Sequence, residues 1–260
     1  MTDMATLDMP RRAPYEGLAL ILKLHWPVYV FGGGVALLAA VLGKILDLNP
    51  LLSGSIWAGA AFALLWLGVS LVASHYIYDR SALFEWAWLP KILPRYPRRW
   101  LNLHAGLDDA SEAMHVLFPS AQGQTLDVYT PVEMSEPSIL RLRNLRRKNR
   151  EGQARRFPEL PCETASRDVA MLFMMAHEVR TVETRIKFFR EVHRVLEAGG
   201  TLVMIEHVRN AWNFAAFGPE YWHFYPDAEW KRVLSEAGFA LKAEEALTPF
   251  LKVYVWEKTR

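Results

Sequence analysis

The sequence predicts an α/β domain, a mostly parallel sheet with helices on both faces, preceded by an N-terminal transmembrane helical hairpin. Three observations predict it. Two long uncharged runs lie close together near the N-terminus, and beyond residue 99 short apolar runs alternate with longer helical patterns. Composition agrees: 52% of the 260 residues are hydrophobic, and the excess is concentrated in the two runs.

The first run, "WPVYVFGGGVALLAAVLG", extends from Trp26 to Gly43, and the second, "GSIWAGAAFALLWLGVSLVASHY", from Gly54 to Tyr76. Each approaches or reaches the roughly 20 apolar residues that span a bilayer as helix. Two buried helices of a soluble core are the alternative. A cleaved signal peptide fits poorly, because the first run starts late, lacks a small-residue cleavage site and is followed at once by another. Residues 1–76 therefore form an N-terminal segment with transmembrane helices at about 26–46 and 54–76, joined by "KILDLNPLLS". Arg11, Arg12 and Lys23 precede the hairpin, and Arg80, Lys91, Arg95, Arg98 and Arg99 follow it. Basic flanks face the cytoplasm, so the expectation is a bacterial inner-membrane protein with its N-terminus and large C-terminal part cytoplasmic.

Residues 77–99, "IYDRSALFEWAWLPKILPRYPRR", mix aromatic, Pro and Arg residues and predict a connector lying at the membrane interface. A substrate-lining role for Tyr78, Asp79 and Arg80 is the alternative. Residues 100–260 then read in order. "WLNLHAG" is a strand, "DDASEAMHVLFPS" a helix with acidic residues in its first turn, and "GQTLDVYT" a second strand. "PSILRLRNLRRKNREGQARR" is a basic helix and loop. "DVAMLFMMAHE" is a third strand, "VETRIKFFREVHRVLEAGG" a helix closed by glycine, and "TLVMIEHV" a fourth strand. The helix "DAEWKRVLSEAGF" and a terminal strand in "LKVYVWEK" complete the chain. Such alternation implies a largely parallel sheet whose ligands gather beyond the carboxyl ends of the strands.

One cysteine, Cys162, excludes an internal disulfide and any cysteine-based zinc cluster, and it agrees with a reducing compartment. The basic segment Arg141–Arg156 is a solvated helix face or an attraction to anionic lipid headgroups. With a net charge of +2 and a membrane hairpin, nucleic acid is not expected as a partner.

At "FFREVHRVLEAGGTLVMIEH" and "EWKRVLSEAGF" the chain resembles class I methyltransferases that use S-adenosylmethionine, over roughly residues 97–258. The resemblance implies a Rossmann-like methyltransferase domain and S-adenosylmethionine as cofactor. "WLNLHAG" falls where the family has an acidic residue and a glycine-rich turn. Asn102 thus replaces the acid, His104 lies within the turn, and Gly106 is the one retained glycine. Asp127 falls where the family holds the ribose hydroxyls, and a carboxylate there can accept two hydrogen bonds from a diol. Met175, near the end of the third strand, joins these as a cofactor contact. The acidic residue that the family places near the adenine amine should fall at about residues 155 and 156, which here are Arg155 and Arg156. Asp168 stands where the family commonly has Asp for structural reasons. No pyrophosphate needs cradling, so lost glycines are tolerable; a lost acid at Asn102 is more serious.

Polar residues gather at the predicted strand ends: His104, His177, Glu178, Glu206, His207 and, in "GPEYWHFYP", His223. One reading makes His177 or Glu178 a general base toward an acceptor hydroxyl or amine, with His223 beside them. The other makes two or three of them ligands of a divalent metal; no HExxH spacing supports it, and no metal is assigned. The aromatic segment "NFAAFGPEYWHFYP" covers an acceptor in the resembling family, or packs at an interface.

The expected function is a membrane-anchored S-adenosylmethionine-dependent methyltransferase acting on a lipid-soluble small molecule, such as a phospholipid amine, a quinone-like phenol or an isoprenoid. Its expected partners are membrane lipids and that acceptor, with a membrane protein partner or a second copy joined through the hairpin. The alternatives are a degenerate methyltransferase-fold accessory subunit of a membrane complex and a metal-assisted quinone-modifying enzyme.

Overall fold

A computed structural model of the chain describes residues 9–10, 12–46, 48–145 and 157–260. It divides into two compact units, Arg12–Ser81 and a second that contains Ala82–Arg260.

The first unit is two long helices, α1 (Glu16–Ile45) and α2 (Pro50–His75). Helix α1 starts ten residues before the apolar run that predicts it, because its first turns are amphipathic rather than uniformly apolar. Pro27 lies inside it, and His25 leaves helical geometry at φ −113°, a kink that follows from the missing proline N–H and the ring's clash with the preceding turn. Asn49 caps α2 by accepting from the Leu52 amide at 2.9 Å, and Pro50 occupies the first helical position, where it costs no hydrogen bond. The helices run antiparallel, since Gly43 O meets Ser53 Oγ at 3.0 Å while Tyr29 Oη meets Ser70 Oγ at 3.2 Å. Both are long and apolar enough to cross a membrane. Their apolar side chains point outward: Phe31 is 68% exposed, Leu65 67% and Val72 71%.

The π-helical turn Tyr76–Arg80 ends this unit, and Asp79 in it accepts from the amides of Gly17 at 2.7 Å and Leu18 at 2.9 Å. Asp79 thereby satisfies orphan donors at the start of α1. Its carboxylate is engaged in structure rather than aimed at a substrate. The following segment also departs from its sequence reading. Leu83, Trp86 and Leu89 are fully or almost fully buried, and the Trp86 ring lies 5.0 Å from Phe173, so these apolar side chains face protein.

In the second unit α3 (Leu89–Ile92) leads to β1 (Arg99–His104), α4 (Ser111–Leu117), β2 (Gln122–Asp127) and α5 (Pro137–Leu145). Then follow β3 (Arg167–Phe173), α6 (Val182–Val195), β4 (Leu196–His207), α7 (Ala211–Phe217), α8 (Asp227–Glu236), β5 (Phe239–Ala246) and β6 (Leu251–Lys258). The sheet order is β2-β1-β3-β4-β6-β5. The first four strands are parallel, β6 runs antiparallel to β4, and β5 antiparallel to β6. Covered on both faces, β1, β3 and β4 bury Leu101, Leu103, Ala170, Leu172, Leu202 and Met204. Phe188, Phe189 and Val192 of α6 and Trp230, Val233 and Leu234 of α8 pack against this layer. Close packing also explains one glycine: a Cβ on Gly123 would overlap the buried Trp100 ring.

Two element readings are corrected. Helix α6 stops at Val195, with Leu196 already extended at ψ 141°, and Arg167 pairs with Leu196 in the sheet. The glycine pair lies beyond that point, within the irregular first part of β4, with Gly199 at a left-handed φ of 70°. Strand β5 was also missed, because after Phe239 its residues are mostly exposed and carry no apolar alternation.

Asp168 is fully buried and accepts from the amides of Arg98 at 2.7 Å and Arg99 at 2.9 Å, fastening the start of β1 to β3. Its structural reading holds. Asp168→Ala strands these donors, and an unmet buried N–H costs about 1–3 kcal/mol. The expected result is a lower thermal midpoint for the detergent-solubilised chain, followed by tryptophan fluorescence; an unchanged midpoint would refute the fastening role.

Candidate active site

Parallel pairing brings the strand ends together. In register, His104 of β1 pairs with Asp127 of β2, and Phe173 of β3 with Ile205 of β4. Two groups of polar side chains form at these ends.

The first lies at β1 and β2. Asn102 is buried, and its amide nitrogen donates to Asp108 Oδ1 at 2.8 Å and to Ser111 Oγ at 3.1 Å. It braces the start of α4 from within. The imidazole of His104 accepts from the Gly106 amide through Nδ1 at 3.1 Å, which closes the turn. Gly106 adopts φ 123°, a conformation that favours glycine, and a Cβ there would press on Arg143 Cγ at 2.9 Å.

Arg143 is one of the residues that sequence reasoning did not single out. It is buried, and its Nη1 donates to Asp127 at 2.7 Å and 3.0 Å and to the carbonyl of Ala105 at 3.4 Å. Its guanidinium carbon stands 4.0 Å above the Tyr129 ring, and Asp127 Oδ1 also accepts from the Tyr129 amide at 3.1 Å. The basic-segment reading is corrected here: Arg143 faces neither solvent nor headgroups. The signal was its spacing, since Ile139, Leu142 and Arg143 share the buried face of α5. The remainder of that segment, with Arg155 and Arg156, falls outside the described residues.

The second group lies at β3 and β4. After β3 the chain turns at Met174, with φ 48°, and enters a short 3-10 turn, Ala176–Glu178. Met175 points into the hydrophobic core. Glu206, fully buried near the end of β4, accepts from the Ala176 amide at 2.7 Å and from His177 Nδ1 at 2.6 Å. A carboxylate only accepts, so Nδ1 of His177 carries the proton, and Nε2 faces Glu178 Oε1 at 3.7 Å. From the turn Gly218–His223, Nε2 of His223 lies 3.9 Å from the same oxygen. The two imidazoles meet edge to face at 4.9 Å. Around them stand Arg180, whose Nη1 lies 3.3 Å from His223 Nδ1, and Glu136, at 3.5 Å from that nitrogen; neither was singled out from sequence.

Burial opposes charge on His177, but the adjacent Glu206 charge and hydrogen bond outweigh it and hold the imidazole above its ordinary pKa. Burial raises the carboxyl of Glu178, partly offset by His177. His207 behaves oppositely. Burial and then the neighbouring His177 push it down to about 3, so it is neutral. It stacks on Phe224 at 4.6 Å and bonds Asn213 Oδ1 through Nδ1 at 3.1 Å, a packing role.

The site residues expected from sequence therefore fall into distinct environments. His177, Glu178 and His223 come together, and His104 and Asp127 sit at adjoining strand ends, whereas Asn102 and Met175 turn into packed interior. The arrangement can move a proton at the group beside β3 and β4 and hold a hydrogen-bonding ligand at the group beside β1 and β2.

Residues 115–204 match the family described as a methyltransferase domain. Among solved structures the chain is similar to the pyocyanin biosynthetic protein PhzM, with TM-score 0.54 and 14% identity over 94% of this chain and 73% of that one. It is also similar to a SAM-dependent methyltransferase from Aquifex aeolicus, with TM-score 0.49 and 16% identity over 65% and 86% of the two chains. A third is an S-adenosylmethionine-dependent methyltransferase from Mesorhizobium loti, at TM-score 0.44 and 17% identity over 67% and 97%. At these identities the likeness concerns the fold. No curated protein matches the sequence.

A raised His177 pKa has a signed consequence. The stability it contributes is fully present below its unfolded value of about 6.5 and is lost as pH rises through the higher folded value. Glu206→Gln removes the anion responsible, so the His177 titration seen by NMR of labelled imidazole carbons should move down, and the acid-side stability gain should shrink. A titration unmoved by that substitution would refute the assignment.

Proposed function

We propose that this chain, which carries a class I S-adenosylmethionine-dependent methyltransferase domain, methylates a lipid-soluble acceptor while anchored in a membrane. The observation that supports this reading most is His177, oriented by buried Glu206 and turned toward Glu178 and His223 at the strand ends where the fold binds its ligands. The helices α1 and α2 support the anchor, because their outward apolar side chains suit hydrocarbon. Basic residues on both flanks favour a cytoplasmic domain, in a bacterial inner membrane. A domain tethered in this way stays beside a substrate that does not leave the bilayer. The acceptor would be a phospholipid amine, a quinone-like phenol or an isoprenoid.

The strand ends fit the cofactor with one exchange. Asp127 offers a carboxylate suited to the ribose diol, but in the described structure Arg143 holds it. Cofactor binding would then replace the guanidinium at that carboxylate. His104 and Gly106 would border the methyl-donor side, with Asn102 and Met175 supporting the turn from beneath. When bound, S-adenosylmethionine supplies an electrophilic methyl group. The protein's part would be to remove the acceptor's proton, with Nε2 of His177 taking it from the acceptor oxygen or nitrogen. Glu206 stabilises the resulting imidazolium, while Glu178 and His223 orient the acceptor. Such a base contributes about 10²–10⁴-fold.

A second reading, an accessory subunit with a degenerate site, is favoured by two observations: the Asp127–Arg143 ion pair and the engagement of Asn102 within the protein.

Calorimetric titration of the detergent-purified chain with S-adenosylmethionine separates the two. Binding that Asp127→Ala weakens by about 1.5–3 kcal/mol supports the enzyme; no binding to folded protein supports the accessory subunit. Transfer of labelled methyl into a membrane lipid extract should fall by at least about 100-fold in His177→Ala. Label that enters only water-soluble compounds, or full activity of both His177→Ala and Glu178→Gln, would overturn the acceptor and base assignments respectively.

A further inference from the structure

We propose that His177, Glu178 and His223 form a binding site for a divalent transition-metal ion. One ligand atom from each of these residues lies within 4.8 Å of the others. The Glu178 carboxylate stands between the imidazoles, with Oε1 at 3.7 Å from His177 Nε2 and 3.9 Å from His223 Nε2. Ligands around a tetrahedral ion, with bonds of about 2.1 Å, stand roughly 3.4 Å apart. The two edges that share Glu178 therefore need to close by only about half an ångström to grip an ion.

An independent observation points to a missing ligand. Oε2 of Glu178 is buried and has no hydrogen-bond partner among the described residues, in a side chain from a residue only 8% exposed. A buried carboxylate without a donor on this oxygen is costly, and a cation held at the neighbouring Oε1 offsets that cost by neutralising the group. The surrounding shell is already built. Glu206 accepts from His177 Nδ1 at 2.6 Å, which directs the lone pair of Nε2 toward Glu178. Carboxylate, imidazole and metal in that order is a common arrangement of metal sites, and the outer carboxylate raises the basicity of the ligand. The Glu206 carboxylate is itself fixed by the Ala176 amide at 2.7 Å.

The imidazole of His223 has the choice of tautomer that ligation requires. Binding through Nε2 leaves the proton on Nδ1, where Glu136 Oε1, at 3.5 Å, can accept it. Arg180 Nη1, now 3.3 Å from that nitrogen, keeps its bonds to the carbonyls of His177 at 3.1 Å and His223 at 3.0 Å. Two imidazoles and one carboxylate select zinc, cobalt or iron in the divalent state over magnesium or calcium, and three protein ligands leave a position open. Coordination would lower the pKa of an acceptor oxygen in that position, so that its proton would pass to solvent water. In the loaded protein Nε2 of His177 is then a ligand, whereas in the metal-free protein it is the base described above. Ion binding stands on these residues alone and does not depend on methyl transfer; only the role of the ion toward an acceptor rests on that reading.

The test uses the full chain, purified in detergent, stripped with a chelator and titrated with Co²⁺ as a spectroscopic probe. About one equivalent should bind, with visible d–d bands of low-symmetry coordination, and Zn²⁺ should displace it. Glu178→Gln and His223→Ala should each weaken binding by at least tenfold, while circular dichroism reports an unchanged fold; Glu206→Gln should weaken it by about tenfold or more through the outer shell. Folded wild-type chain that binds no Co²⁺, or equal binding by the wild type and both ligand variants, overturns the proposal. Because no methyl donor is present, neither outcome depends on whether the chain transfers methyl groups.

Discussion

A buried carboxylate governs the geometry of the strand ends. Glu206 is fully enclosed, and an ion in that position without donors would cost several kcal/mol. Its donors come from the turn after the neighbouring strand, because the parallel register of β3 and β4 sets Phe173 beside Ile205 and the turn beside Glu206. To bring the Ala176 amide and the His177 ring onto that carboxylate the chain must reverse at once. Met174 does so at positive φ, while its amide still bonds the Ile205 carbonyl at 2.8 Å. The positions of His177 and Glu178 follow from this one requirement. The cluster is thus held by regular sheet structure rather than by a long loop.

At the neighbouring ends of β1 and β2 a different solution stands where the sequence resemblance implies a glycine-rich turn. Where small residues would leave space, this chain has His104, Asn102 and a long Arg143 side chain. Asn102 retains the shape of an acid but offers an amide donor, which the chain uses on Asp108 and Ser111. Gly106 survives because its backbone conformation and the close approach of Arg143 exclude a Cβ. Side-chain charge, more than backbone amides, therefore shapes this part of the site.

Much of this architecture is legible in the sequence, for physical reasons. Strands buried on both faces read as continuous apolar runs, so β1, β3 and β4 stand out. The same sheet order explains why polar residues just after those runs converge. β5 is an exposed edge strand without alternation, and no local signal separates it from a loop. The end of α6 was misplaced because Gly199 and Gly200 lie in the irregular first part of β4, although glycine after a helix usually closes it. Segment 82–92 misled for a related reason: aromatic residues suit a membrane interface and a protein core equally, and only tertiary packing buries Trp86. Arg143 was hidden by its neighbours. Among the many arginines of one segment, the buried Arg143 is marked only by lying in step with Ile139 and Leu142.

The two strand ends neutralise their carboxylates with cations of different character, and that difference divides the labour of the site. Arginine stays protonated at any pH a protein meets, so Asp127 keeps its partner until another donor takes the place of the guanidinium. A neutral diol can accept that exchange only if Arg143 finds compensation, and the Tyr129 ring beneath it, at 4.0 Å, supplies a face on which a guanidinium is stabilised. Glu206 instead faces an imidazole. When His177 gives up its Nε2 proton, Nδ1–H remains bonded to Glu206, so the carboxylate is never left without a donor during proton transfer. On the proposed reading, one pair would respond to occupancy and the other to protonation. A single sheet edge can in this way separate the binding of a ligand from the chemistry performed beside it.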